Sequence, residues 1–118
     1  MNAHELRPVE WEDGLRLIDQ RLLPHATRWV ACRTVEEAAE AIREMTVRGA
    51  PAIGITAAYA MVLAAQAAGP QGFRARMEEA RALLAATRPT AVNLGWALEG
   101  CWSVIERGGG PAELLAHA

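Results

Sequence analysis

From Pro51 to Ala68 the sequence gives a helix no polar face: only Gly54, Thr56, Tyr59 and Gln66 interrupt the alanine, isoleucine, valine, leucine and methionine. A helix that is apolar nearly all round has to be covered on every side, by protein or by lipid. The run is long enough for a bilayer span to be tested. Its alanines are only weakly lipophilic, however, and its polar interruptions fit a central buried helix better. No membrane partner is therefore expected, and the rest of the chain is expected to wrap this segment. Gly69-Pro70 supplies the stop.

The residues leading into this helix are Arg48-Gly49-Ala50-Pro51-Ala52-Ile53-Gly54. The first N–H groups of a helix have no intrahelical partner, and the macrodipole places partial positive charge there. A preceding arginine, a glycine without a Cβ and a proline at the first turn make a place for a phosphate or carboxylate. A tight turn feeding a buried helix accounts for the same residues, and short glycine motifs often match by chance. Arg88-Pro89-Thr90-Ala91-Val92-Asn93 repeats the construction, with Thr90 as the expected N-cap. Two arginines at two helix starts could close on one anion; two capped helices with solvated arginines remain the alternative.

Around these motifs the periodicity changes once. Val9-Glu10-Trp11, Leu15-Arg16-Leu17-Ile18 and Arg28-Trp29-Val30-Ala31-Cys32 read as strands, with Asp13-Gly14 as a hairpin turn. They predict a small antiparallel sheet of about three strands. From Thr34 the spacing is helical. Thr34 and Glu37 form a capping box, and Val35, Ala38, Ala39, Ile42 and Met45 share a face. A third helix is expected from about Gln71 to Ala86, facing inward with Phe73, Met77, Ala80 and Leu84. A fourth starts at Thr90 and turns Leu94, Ala97, Leu98, Cys101 and Ile105 inward, ending at Gly108-Gly109-Gly110. A fifth opens at Pro111 and still carries apolar Leu114 and Leu115 as the chain ends, the pattern expected of a helix cut short. The fold class is thus α+β, mostly α. Residues 1–33 form a β-subdomain, and residues 34–118 a bundle of about four to five helices.

At 118 residues the chain makes one domain. Lys+Arg of 12 against Asp+Glu of 14 leaves a net charge of −2, with no basic excess to neutralise nucleic-acid phosphates. Every one of those cations is an arginine, suited to bidentate contact with carboxylate or phosphate. Cys32 and Cys101 lack metal-ligand spacing, so no metal site or disulfide framework is expected. Both are expected to be structural: Cys101 lies on an inward stripe and Cys32 at a strand end. His4, His25 and His117 have no partner at useful spacing and are read as solvated. Trp11 and Trp29 are expected to pack the small sheet, and Trp96 and Trp102 to seal the fourth helix against its neighbours. Met1 to Glu12 shows no secretory signal, and a cytoplasmic protein is expected.

Three blocks also carry a resemblance: IDQRLLP (Ile18 to Pro24), EEAAEAIREMTVRGAPAIGITAAY (Glu36 to Tyr59) and TRPTAVNL (Thr87 to Leu94). In order and spacing they resemble the N-terminal domain of the methylthioribose-1-phosphate isomerases, a family related to regulatory subunits of a translation-initiation exchange factor. The resemblance implies isomerisation of the aldose 5-methylthioribose 1-phosphate to the ketose 5-methylthioribulose 1-phosphate, a step of methionine salvage and so of amino-acid biosynthesis. It implies no cofactor and a homodimer in the full-length protein. Carried across by motif, the substrate-binding residues are Arg48, Gly49, Ala50 and Arg88. The catalytic cysteine and aspartate that it implies belong to a C-terminal Rossmann-like domain that these residues do not include. No catalytic residue is therefore assigned here, and the 118 residues by themselves are expected to be inactive. The family often has an aromatic residue where this chain has Gly95. Two alternatives stay open: an isomerase of a related pentose 1-phosphate, and a non-catalytic regulatory or assembly domain like the exchange-factor subunits.

Overall fold

The alternation of Leu15-Arg16-Leu17-Ile18 makes one side of a strand apolar, and the computed structural model buries that side completely: Leu15 and Leu17 keep 1% and 0% of their surface. The structure describes residues 9–22, 25–44, 46, 49–88 and 91–118. Strands β1 (Val9–Trp11), β2 (Leu15–Ile18) and β3 (Trp29–Cys32) form an antiparallel sheet in the order β1-β2-β3. Trp11 pairs with Leu15, and Ile18 with Trp29. The turn between β1 and β2 puts Asp13, not Gly14, at positive φ (55°), a conformation that aspartate tolerates better than most residues. Past β2 lies a single 3₁₀ turn, Gln20–Leu22.

Five helices follow: α1 (Val35–Arg43), α2 (Ala50–Ala68), α3 (Phe73–Thr87), α4 (Val92–Glu106) and α5 (Pro111–His117). Helix α2 lies at the centre, touching every other helix as well as β1 and β2. Its Ala57, Ala60, Met61 and Val62 are fully buried. By length and composition its Pro51–Ala68 stretch could cross a membrane, but more than half of it is covered by the surrounding elements. Trp11 stacks on Tyr59 with ring centroids 5.3 Å apart, which ties the sheet to α2.

Several local expectations are met with changes. Thr34 caps α1 by accepting the Glu37 N–H at 3.1 Å, while the Glu37 carboxylate accepts from the Arg33 N–H rather than from Thr34. Helix α3 starts at Phe73 rather than near Gln71, because Gly72 takes a left-handed conformation (φ 73°) and ends the turn there. Its Met77, Ala80 and Leu84 are buried and Phe73 half-buried. Helix α4 starts at Val92 with Ala91 as its N-cap, so the expected cap at Thr90 is displaced; Thr90 lies outside the described residues, as do Pro89, Met45 and His4.

The expectation for Trp96 is overturned. Its side chain is 69% exposed and seals nothing, because it points away from the stripe of Leu94, Leu98, Cys101 and Ile105 that α4 buries. Trp102 does pack between helices: it is half-buried, with the guanidinium groups of Arg74 and Arg81 over its ring at 5.4 and 5.0 Å. Its indole N–H donates to Glu106, which also pairs with Arg74. Trp29 is half-buried beneath the Arg16 guanidinium, 4.8 Å from the ring. His25 and His117 are both exposed, as expected, and the His117 ring also lies against Gly100, 2.8 Å from where a Cβ would stand.

Candidate functional site

Gly49 is the N-cap of α2, with φ 92° and ψ 133°. An L side chain rarely adopts that φ, so the backbone requires glycine here although space around it is open. Its carbonyl accepts the Ile53 N–H at 3.0 Å, the first bond of the helix. The N–H groups of Ala50 and Ala52 precede that bond and have no intrahelical partner, and Pro51 has no N–H to offer. Among the described residues, no side chain caps this end.

Helix α4 opens in a similar way. Ala91 is its N-cap with no side-chain hydrogen bond, and the Ala91 carbonyl accepts from Gly95 at 3.3 Å. The N–H groups of Val92, Asn93 and Leu94 lie ahead of that bond. Arg88 ends α3, half-buried, and its carbonyl accepts the Ala91 N–H at 3.0 Å, turning the chain from α3 into α4. Among the described residues, no carboxylate lies within ion-pair distance of the Arg88 guanidinium.

The two helix starts touch. A Cβ placed on Gly54 would stand 3.3 Å from the Asn93 carbonyl oxygen and 3.8 Å from the Ala97 Cβ. The glycine closing Arg48–Gly54 therefore lets α2 approach the first turn of α4 closely. Gly49 and the Ala50 backbone open one of these adjoining helices, and Arg88 precedes the other. Arg48 lies outside the described residues. Helix α3 also starts without a side-chain cap, so an open start does not by itself mark a site; what distinguishes α2 and α4 is their mutual contact.

Chemistry-bearing groups elsewhere are committed to the fold. Burial pushes the Cys32 and Cys101 thiols up to about 11, which keeps them neutral and weakly nucleophilic. Neither of two surface clefts is lined by Gly49 or Arg88. One, of about 250 Å³, includes Thr34, Leu63 and Arg76; the other, of about 370 Å³, includes Arg21, Cys32, Glu37 and Glu44.

One group was not singled out from the sequence. Asp19 is a carboxylate only 3% exposed, and its two oxygens accept from the Arg21 Nε and terminal nitrogen at 2.9 and 2.8 Å. The Arg21 side chain and backbone N–H hold the Asp19 carboxyl below its ordinary range against the opposing effect of burial. The available signal was an acid and an arginine two positions apart just past a strand.

Comparison with known proteins places these features in a family. Residues 46–109 match the initiation factor 2 subunit family, IF-2B. Methylthioribose-1-phosphate isomerase of Pseudomonas aeruginosa (strain UCBPP-PA14) is 54% identical over 108 residues, covering 89% of this chain and 30% of the relative. The protein of that name from Roseiflexus sp. (strain RS-1) is 57% identical over 108 residues, 86% of this chain and 30% of the relative. Among solved structures, 5-methylthioribose 1-phosphate isomerase from Pyrococcus horikoshii OT3 superposes with a TM-score of 0.81 at 43% identity, over 86% of this chain and 30% of the other. Translation initiation factor eIF-2B subunit delta from A. fulgidus superposes with a TM-score of 0.84 at 39% identity, over 95% and 34%. The chain thus spans about 30% of the length of the curated relatives it matches. With a matching family model over more than half its residues, the chain belongs to the initiation factor 2 subunit family.

Proposed function

We propose that this chain is the substrate-binding part of an aldose–ketose isomerase that converts 5-methylthioribose 1-phosphate to 5-methylthioribulose 1-phosphate in methionine salvage. The observation that carries the reading is the contact between the starts of α2 and α4 through Gly54 and Asn93, each start preceded in sequence by an arginine. Sequence identity of 54% and 57% to isomerases over most of the chain supports the same substrate. In this reading Arg48, Arg88 and the N–H groups of Gly49, Ala50 and Ala52 grip the phosphate, each guanidinium as a fork and the helix starts as fixed donors.

Moving hydrogen between C1 and C2 of the sugar takes a positioned acid/base pair in a dry pocket. Both thiols here are buried and held neutral, so these residues bind and orient the substrate rather than carry the proton. The division at residue 33 belongs to this proposal: the β-part braces the helical part, which carries both arginines. So do a cytoplasmic location and a homodimer of the full-length protein.

The test titrates the chain with 5-methylthioribose 1-phosphate, ribose 5-phosphate and inorganic phosphate while following backbone amide shifts. Shifts at Gly49, Ala52, Val92 and Asn93, strongest for the methylthio sugar, are the expected result. Shifts elsewhere, or none with any of the three, would sink the site.

A second reading is favoured by the eIF-2B delta superposition, which covers more of this chain than the isomerase structure does. In that reading the helical fold of this chain serves regulation or assembly, and no sugar phosphate binds at the paired helix starts.

A further inference from the structure

We propose that the Asp19–Arg21 pair is a positioning device for the anion site: it shapes the turn that directs the Gln20 N–H at the Thr46 carbonyl, and so holds the segment leading into Gly49 and α2. The inference rests on the phosphate-binding reading and adds a residue group to it.

The segment between α1 and α2 runs from Glu44 to Gly49 and leads directly into the anion site. Within it, Thr46 is 5% exposed, and its carbonyl accepts the Gln20 N–H at 2.8 Å. That bond joins positions far apart in sequence, linking the turn after β2 to the approach to α2. Thr46 precedes Arg48 by two positions and Gly49 by three. At about 3.8 Å between successive Cα atoms, anchoring Thr46 limits how far Gly49, three residues on, can lie from the sheet.

The Gln20 N–H is itself fixed from both sides. On one side the Asp19 N–H donates to the Arg28 carbonyl at 2.8 Å, extending the β2–β3 ladder by one residue. On the other, the Asp19 carboxylate accepts the Arg21 backbone N–H at 3.1 Å as well as the side-chain Nε and Nη2. The Leu22 N–H then closes the turn on the Asp19 carbonyl at 3.2 Å. A short turn with this many restraints presents its one outward N–H in a fixed direction. Asp19 is nearly buried while the Arg21 side chain keeps half its surface, so the pair faces inward at its carboxylate. Burying a charge in this way is costly, and hydrophobic residues of similar volume often serve stability as well. A role in geometry accounts for the charged pair where stability alone does not.

The test measures the dissociation constant for inorganic phosphate by amide shifts at Gly49 and Asn93, well below the melting temperature, in the 118-residue chain. Wild type is compared with Asp19→Asn, Arg48→Ala and Arg88→Ala. Asp19→Asn is expected to weaken phosphate binding roughly three- to tenfold in protein that still melts cooperatively, the effect of a misplaced grip rather than a lost one. Faster hydrogen exchange of the Gln20 amide should accompany it. Wild-type affinity in folded Asp19→Asn, with both arginine variants weakened, overturns the positioning role and leaves the phosphate site standing. If phosphate does not bind wild type, or no arginine variant weakens it, the site falls and the positioning role with it. Should Asp19→Asn fail to fold, Arg21→Gln, altered at a half-exposed side chain, decides by the same criteria.

Discussion

Gly54 and Asn93 join the two helix starts: the Cβ that Gly54 lacks would stand 3.3 Å from the Asn93 carbonyl oxygen. That spacing is tighter than most real Cβ contacts, and the oxygen belongs to backbone, which yields less readily than a side chain. Gly54→Val adds two further carbons to this contact and to the neighbouring Ala97 Cβ. It should cost about 1–3 kcal/mol through overpacking, read as a lower denaturant midpoint at unchanged m. Phosphate affinity should fall with it, since separating α2 from α4 separates the two starts. A variant as stable as wild type would mean that the helices slide freely at this point.

The two arginines should behave alike. Arg48→Ala and Arg88→Ala are each expected to weaken sugar-phosphate binding roughly ten- to a hundredfold, the loss of a charge-assisted contact of about 1.5–3 kcal/mol. In an active full-length enzyme the same change appears as a raised KM and a lowered kcat/KM. A variant that melts earlier but binds at wild-type affinity assigns that arginine to the fold instead.

Most of the architecture could be read in advance because it rests on local signals. Val9–Trp11 and Leu15–Ile18 alternate or carry β-type residues around a turn at Asp13-Gly14, and the strands form with those bounds. The inward residues of α3 and α4 follow the helical period. Trp96 departs from what its residue type suggests, although the helical period is informative: at about 100° per residue it lies roughly 200° from Leu94, on the opposite face. The start of α4 escaped because Ala91 caps it with no side-chain oxygen, leaving Thr90 as the more obvious candidate. The Gln20–Thr46 bond escaped for a different reason. It joins two backbone groups far apart in the chain, and no residue type announces such a contact.

Acid should weaken the fold through Asp19. The Arg21 guanidinium holds the Asp19 carboxyl below its ordinary range, so its pKa is depressed in the folded state relative to the unfolded chain. The stability this contributes is fully present above the unfolded value of about 3.9 and is lost as pH falls through the folded one. Urea unfolding of wild type and Asp19→Asn should therefore give a gap that is constant from about pH 7 to 5 and narrows below about pH 4. A gap independent of pH would show that the charge of Asp19 contributes nothing beyond its shape.

Both cysteines should resist alkylation while the chain is folded. With burial pushing each thiol from 9.0 to about 11, the thiolate fraction at pH 8 falls about a hundredfold. Iodoacetamide at that pH should label neither Cys32 nor Cys101 on the time scale of a free thiol, and should label both in guanidinium. Rapid labelling of Cys101 in the folded protein would mean that α4 opens easily from the core.

Trp96 tests whether exposure or residue type decides what a tryptophan contributes. With 69% of its surface in solvent, its ring buries little against the rest of the chain. Trp96→Ser should change stability by no more than about 0.5 kcal/mol, the usual range for a surface substitution. Removing it should also take away the fluorescence component most accessible to iodide, because Trp11, Trp29 and Trp102 are all half-buried, two of them beneath guanidinium groups. A loss of about 2 kcal/mol or more would place the ring in a packed environment, as its residue type alone suggests.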